Sequence, residues 1–234
     1  PFAMLGLAGV TVIDPSRTYV ETGVSVGQDS VVEPGVFLLG KTRVGRGVRI
    51  QTGCVVEDCV LGDGAHLKPY CVMTSSRVRS RAIVGPFSHL RPEADIGEGA
   101  HIGNFVEGKK SRIGKGSKAH HLAYLGDAVV GKKDNGGEGT ITCNYDGIAK
   151  HPTVLGDGVF VGSDTMLVAP VTVGKGALIG AGSTITQNVP PYALAICRAE
   201  QKMSEFWVAR KKPELLKKAG LAVPAMKKGK KGEK

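Results

Sequence analysis

Two stretches of this 234-residue chain concentrate side chains able to do chemistry. The first, Arg91 to Tyr124, reads RPEADIGEGAHIGNFVEGKKSRIGKGSKAHHLAY, and the second, Gly139 to His151, reads GTITCNYDGIAKH. They contain His101, His120, His121 and His151, the carboxylate of Glu107, and the cations Arg91, Lys109 and Lys150. An imidazole titrates near neutrality and can take a proton during a reaction. The arginine fork clasps phosphate through two parallel bonds, whereas lysine meets it as a point charge. Base catalysis beside an anionic substrate is therefore within reach of these residues. The same histidines, with His66 and His89, are also raw material for zinc binding, although their spacing is irregular.

What must position these groups is a repeat with a period of six. From Val26, aliphatic residues recur at Val32, Leu38, Val44, Ile50 and Val56, then after five-residue steps at Leu61 to Met73 and Val78 to Ile102. The register returns at Ile113, Ala119, Leu125 and Val130, and again from Leu155 to Ile185. Four residues after most anchors stands a small or β-branched residue, such as Ser30, Thr42, Cys54, Cys71 and Ala82. A helix repeats at about 3.6 residues and a strand at about 2, so neither gives this pattern; a hexapeptide solenoid does. Each hexapeptide is a short strand and a turn, and three close one coil. One unit cannot bury its own apolar face, but stacked neighbours can. At about 18 residues per coil, Val26 to Ile185 predicts roughly nine coils. A β-sandwich would space its strands by about 8–12 residues. The expected fold is an all-β parallel β-helix, followed by a short C-terminal helix and a basic tail. Hexapeptide solenoids of this kind are known as left-handed, and the hand is implied by that resemblance rather than by the period.

The expected organisation is a cap or linker from a missing upstream domain over 1–25, the solenoid over 26–199, and a helix with a partly disordered basic tail over 200–234. The chain starts at Pro1 without an initiator Met, which fits the C-terminal part of a longer protein. The formal charge of +10 sits mostly in the tail: from Arg210 onward ten Lys and Arg face only Glu214 and Glu233. Such a run reads as a solvated tail, so no nucleic-acid partner is expected. Residues Ser204 to Lys218 are expected to form the helix, with Phe206, Trp207, Leu215 and Leu216 on its packed side. Five cysteines without a framework spacing point to reduced thiols and a cytoplasmic protein. No stretch approaches the ~20 apolar residues of a membrane span, so no membrane partner is expected.

The two polar stretches coincide with interruptions of the repeat, and loops on a rigid scaffold are where function tends to sit. There the sequence closely resembles the acetyltransferase half of the bacterial bifunctional N-acetylglucosamine-1-phosphate uridyltransferase / glucosamine-1-phosphate acetyltransferase family. The resemblance covers almost the whole chain and rests on GPFSHLRP, EGAHIGNFVEGKKSRIGKGSKAHHLAYLGDA, GTITCNYDG, GDGVFVGSDTMLVAPVTVGKGA and ALAICR. It implies transfer of acetyl from acetyl-CoA to the amine of glucosamine 1-phosphate, for UDP-N-acetylglucosamine and cell-envelope synthesis, in a homotrimer with active sites between subunits. By that resemblance His121 is the base and Glu107 the carboxylate that orients it, while His120 is a surface or interface residue. Arg91, Lys109 and Lys150 match residues around the acceptor's phosphate, and Tyr124 and Asn135 match residues that bind the sugar. Asn144, Tyr145, Ser163, Ala181 and Arg198 match acetyl-CoA contacts, and Glu138 is a further cofactor-binding candidate. No metal is expected in this domain. Magnesium belongs with a uridyltransferase domain whose Gly-rich nucleotide-binding segment this sequence lacks.

One coil departs from family and repeat alike. In GKKDNGGEG, residues 131–139, Asp134 stands at a small-residue position, Gly136 replaces an aliphatic anchor, and Glu138 replaces the small residue expected beside Gly139. Burying an unpaired carboxylate is costly, so this coil is expected to be distorted and acetyl transfer weakened. The alternatives are an acyltransferase for another amino sugar, a zinc hydratase resembling the trimeric β-helical carbonic anhydrases, and a structural trimerisation module with a weakened site.

Overall fold

Aliphatic residues alternating with polar ones over two to four positions, followed by a turn, form the strands of three parallel sheets. The computed structural model describes residues 6 and 8–224. The first sheet has 11 strands, from Thr11–Val12 to Leu194–Ala195. The second has 10, from Tyr19–Val20 to Thr184–Ile185, and the third has 9, from Ser25–Val26 to Val171–Val173. Strands adjacent in a sheet are almost always three apart in sequence, so the chain visits each face once per coil. The fold is a left-handed parallel β-helix of hexapeptide repeats.

The register stacks the anchors into interior columns. Val32, Ile50, Leu67, Val84 and Ile102 align in the first sheet, and Leu38, Val56, Met73 and Leu90 align in the second. All nine are buried, Cys54, Cys59 and Cys71 among the small residues are buried too, and all five cysteines are free. Where a hydroxyl fills a small-residue position, it stitches two coils together. Ser117 accepts the Asp134 N–H at 2.9 Å and donates to the Gly131 carbonyl at 2.7 Å, which spares a buried polar group its desolvation cost.

The strand ladder differs from the sequence expectation through the first polar stretch and at the start of the solenoid. Coiling begins at Thr11, since Thr11–Val12 pairs with Val31–Val32 and Tyr19–Val20 with Phe37–Leu38. The 3-10 turn Pro15–Arg17 inserts residues between Val12 and Val20 and so hides the period there. Arg91 to Tyr124 is not an interruption: its strands continue the sheets, with Gly108 and Ala119 standing in the anchor columns. The second stretch does extrude a loop, between Ile141–Cys143 and Thr153–Leu155.

Asp134 and Gly136 do break the core. Its buried apolar residues form one cluster from Val10 to Ala128 and another from Leu155 to Val189, with Val130 packed against both. Asp134 is 2% exposed; its Oδ1 accepts the Val159 N–H at 2.8 Å, while Oδ2 is buried without a partner. Burial raises its pKa from 3.8 to about 6. Glu138 is not in the core: its side chain is 65% exposed, and Thr140 fills the next buried small position. The coil keeps its strand pairing, Asn135–Gly136 with Lys118–Ala119 on one side and Phe160–Val161 on the other.

Among the described residues, those from 199 to 224 belong to a separate unit. The expected single helix is two, Trp207–Lys211 and Pro213–Lys218, because Pro213 lacks an N–H and pushes Lys212 out of helical geometry. Phe206, Trp207 and Leu215 are exposed rather than packed, and Ala209 is the buried residue of the pair. The basic run beyond Pro224 lies outside the described residues.

Candidate active site

One corner of the solenoid, between the first and second sheets, carries a column of candidate residues on successive coils: Asn104, His121, Glu138, Ser163 and Ala181. Asn104 is in register with His121. The ladder continues as Gly139 N–H to His121 O, Asp164 N–H to Glu138 O and Gly182 N–H to Ser163 O. The residue after each column member has positive φ: Phe105, Leu122, Gly139, Asp164 and Gly182, at 56, 51, 71, 56 and 70°. The corner thus turns identically in every coil and presents five side chains in line.

His121 is held between its coil neighbours. Its Nδ1 bonds to the Asn104 carbonyl oxygen. Since Oδ1 can only accept, that bond puts the proton on Nδ1 and leaves the Nε2 lone pair free. Nε2 lies 3.7 Å from Glu138 Oε1. At the far end of the column Arg198 Nη1 donates to the Ala181 carbonyl at 2.6 Å. His120 points elsewhere: its ring lies 4.8 Å from that of His101, and its Nε2 is buried without a partner. Burial lowers the pKa of both rings, with the charge of His120 as a further cause for His101 and that of His121 for His120.

A second group occupies the outer face of the second sheet. Glu107 is in register with Tyr124, and Lys109 with Gly126. Glu107 Oε1 pairs with Arg91 Nη1 at 2.8 Å. This corrects its expected bond to His121: the position on Nδ1 belongs to Asn104, which the sequence reading missed. The Lys109 pKa is lowered by the neighbouring Lys150 ammonium first and by Arg91 as well, so three cations converge here. Such an excess of positive charge suits a phosphate.

The extruded loop is built around Asp146. Its Oδ1 accepts the Ile148 and Ala149 N–H groups at 2.8 and 2.7 Å, and Oδ2 meets His151 Nε2 at 2.6 Å. Those bonds hold the Asp146 pKa well below the usual range. Asn144 donates to Asp127 at 2.6 Å, and Tyr145 bridges back to Lys150. The loop therefore fixes Lys150 near Lys109 while exposing Tyr145. Asn135 sits apart from both groups, on the first sheet beside Lys118. Among the described residues no cluster of three or more His, Cys, Asp or Glu could hold a metal ion, and no helix is long and apolar enough to cross a membrane.

Comparison with known proteins agrees with the repeat. Residues 152–187 match the model for the bacterial transferase hexapeptide, and residues 16–39 match that for the hexapeptide repeat of succinyl-transferase. A solved UDP-N-acetylglucosamine acyltransferase from Francisella novicida shares the fold, with a TM-score of 0.54 at 15% identity over 91% of this chain and 74% of that one. Fold and repeat thus define a hexapeptide-repeat β-helix of the kind found in bacterial transferases. More particularly, the chain is similar to part of the bifunctional protein GlmU. It is 54% identical to that of Koribacter versatilis (strain Ellin345) over 211 residues, 90% of this chain. It is 56% identical to that of Anaeromyxobacter sp. (strain Fw109-5) over 219 residues, 93% of this chain. The chain spans about half the length of these relatives, 45% of each.

Proposed function

We propose that this chain transfers acetyl from acetyl-CoA to the amine of glucosamine 1-phosphate, producing N-acetylglucosamine 1-phosphate for nucleotide-sugar synthesis. The observation that carries the reading is His121, with Asn104 holding its Nδ1 proton and its Nε2 open, on the same corner column as Ser163 and Ala181, with Arg198 bonded to the Ala181 carbonyl at its end. Nε2 takes the proton that the acceptor amine loses as it becomes a nucleophile. Arg91, Lys109 and Lys150 bind the acceptor's phosphate, with Tyr124 and Asn135 on its sugar. The corner below His121 suits the coenzyme: the side chains of Ser163 and Ala181 are small, and the Arg198 guanidinium can meet coenzyme phosphates. Asn144 and Tyr145 complete that side from the loop.

His121 stands on the corner and the cationic group on the adjoining sheet face. This separation is compatible with a homotrimer in which each site draws residues from two subunits. Buried free thiols suit a cytoplasmic enzyme. A second reading, a structural module, is favoured by one observation, the break in the core at Asp134 and Gly136.

An acceptor panel with radiolabelled acetyl-CoA tests the reading. Glucosamine 1-phosphate is expected to be the best acceptor, with glucosamine far weaker for want of the phosphate. Labelling of a different amino sugar in preference would overturn the substrate assignment, and no labelling would favour the structural module.

A further inference from the structure

Glu138, a cofactor-binding candidate in the sequence, stands on the corner column between His121 and Ser163. It is exposed, one coil beyond His121, with Oε1 3.7 Å from His121 Nε2. Nothing else in the geometry uses this carboxylate: its backbone carbonyl accepts the Asp164 N–H, which keeps the coil in register, while its side chain reaches back toward the imidazole. We infer that Glu138 is the residue that recognises the acceptor's amine, binding it as an ammonium in the space it shares with His121.

The chemistry follows from the acceptor assigned above, on which this inference rests. An alkylamine is largely an ammonium near neutral pH, and an ammonium cannot attack a thioester. It carries three donors and no acceptor. A gap of 3.7 Å between a carboxylate oxygen and an imidazole nitrogen lets one nitrogen sit beside both and donate to each. The bond to Glu138 is charge-assisted and favours the cation over a neutral hydroxyl in the same place. The bond to Nε2 aims one proton at the free lone pair. Transfer of that proton yields the neutral amine and an imidazolium, whose new charge lies against the Glu138 carboxylate. The amine then attacks the thioester carbonyl, a C–N bond forms as the C–S bond breaks, and the departing thiolate takes up the second proton lost by the nitrogen. The imidazolium returns its own proton to solvent. Glu138 thus selects the acceptor and His121 deprotonates it.

The test uses the whole chain and Glu138→Gln, which removes the charge at an exposed position and leaves folding intact. Glucose 1-phosphate, with a hydroxyl in place of the amine, serves as a competitive probe. Glu138→Gln is expected to raise KM for glucosamine 1-phosphate about tenfold, leaving KM for acetyl-CoA and the inhibition constant of glucose 1-phosphate unchanged. An unchanged acceptor KM, a shift in acetyl-CoA KM alone, or equal weakening of both sugar phosphates would overturn the inference. In those cases the wild-type chain still acetylates glucosamine 1-phosphate. If the wild-type chain acetylates no amino sugar, the acceptor assignment itself fails and this inference goes with it.

Discussion

At the scale of single residues, the imidazole of His121 is defined by a neutral partner. A carboxylate on Nδ1 would bring a charge to stabilise an imidazolium; the Asn104 carbonyl supplies orientation and tautomer alone. The carboxylate near the imidazole is instead Glu138, on the Nε2 side. Glu107 is bound to Arg91 and so stands with the cationic group of Arg91, Lys109 and Lys150. Two variants separate these roles. Asn104→Ala is expected to lower kcat about tenfold or more with little change in either KM, since a misoriented base loses part of its contribution of about 100-fold or greater. Glu107→Gln is expected to raise the acceptor KM through a loosened Arg91 and to leave kcat nearly intact. A kcat loss in Glu107→Gln at constant KM would return Glu107 to the imidazole. His121 was legible from its motif, whereas Asn104 was not. It sits 17 residues upstream, one coil away, and only the strand register makes the two adjacent.

At the scale of the element, the coil from Gly131 to Gly139 is where repeat and function compete. Asp134 fills a position that Ser117 fills one coil earlier, and it repeats the bond from a small-column side chain to the next coil's amide. A hydroxyl satisfies itself there with one donor and one acceptor, but an ionised carboxylate leaves Oδ2 buried and unpaired. With its folded pKa raised from 3.8 to about 6, the folded chain holds a proton that the unfolded chain has lost across that window. Stability therefore falls as pH rises through it, by about 3 kcal/mol in total. Asp134→Ser is expected to abolish this slope: its melting temperature should exceed that of the wild type at pH 8 and match it near pH 4. Parallel melting curves for the two proteins at all pH values would contradict the assignment. The break in the column was visible in the sequence as Asp134 and Gly136. The approach of the Glu138 side chain to His121 was not, because the repeat marks which positions are buried and not what an exposed side chain meets on the next coil.

At the scale of the whole molecule, the solenoid was legible because its period is set by geometry: one strand and one turn per face, three faces per coil. The period concealed only what departs from six or from an aliphatic anchor, namely the coil opened by the turn at Pro15–Arg17 and the continuous ladder through Gly108. The same stacking explains why the site could not be read off completely. Residues far apart in sequence become neighbours along a corner, so chemistry is assembled across coils rather than within a motif. The central claim is that this corner performs acetyl transfer with His121 as its base. The most direct measurement is CoA release with glucosamine 1-phosphate and acetyl-CoA, comparing the chain with His121→Ala. Sustained release that drops by about 100-fold or more in the variant is expected; equal rates in the two proteins would contradict the claim.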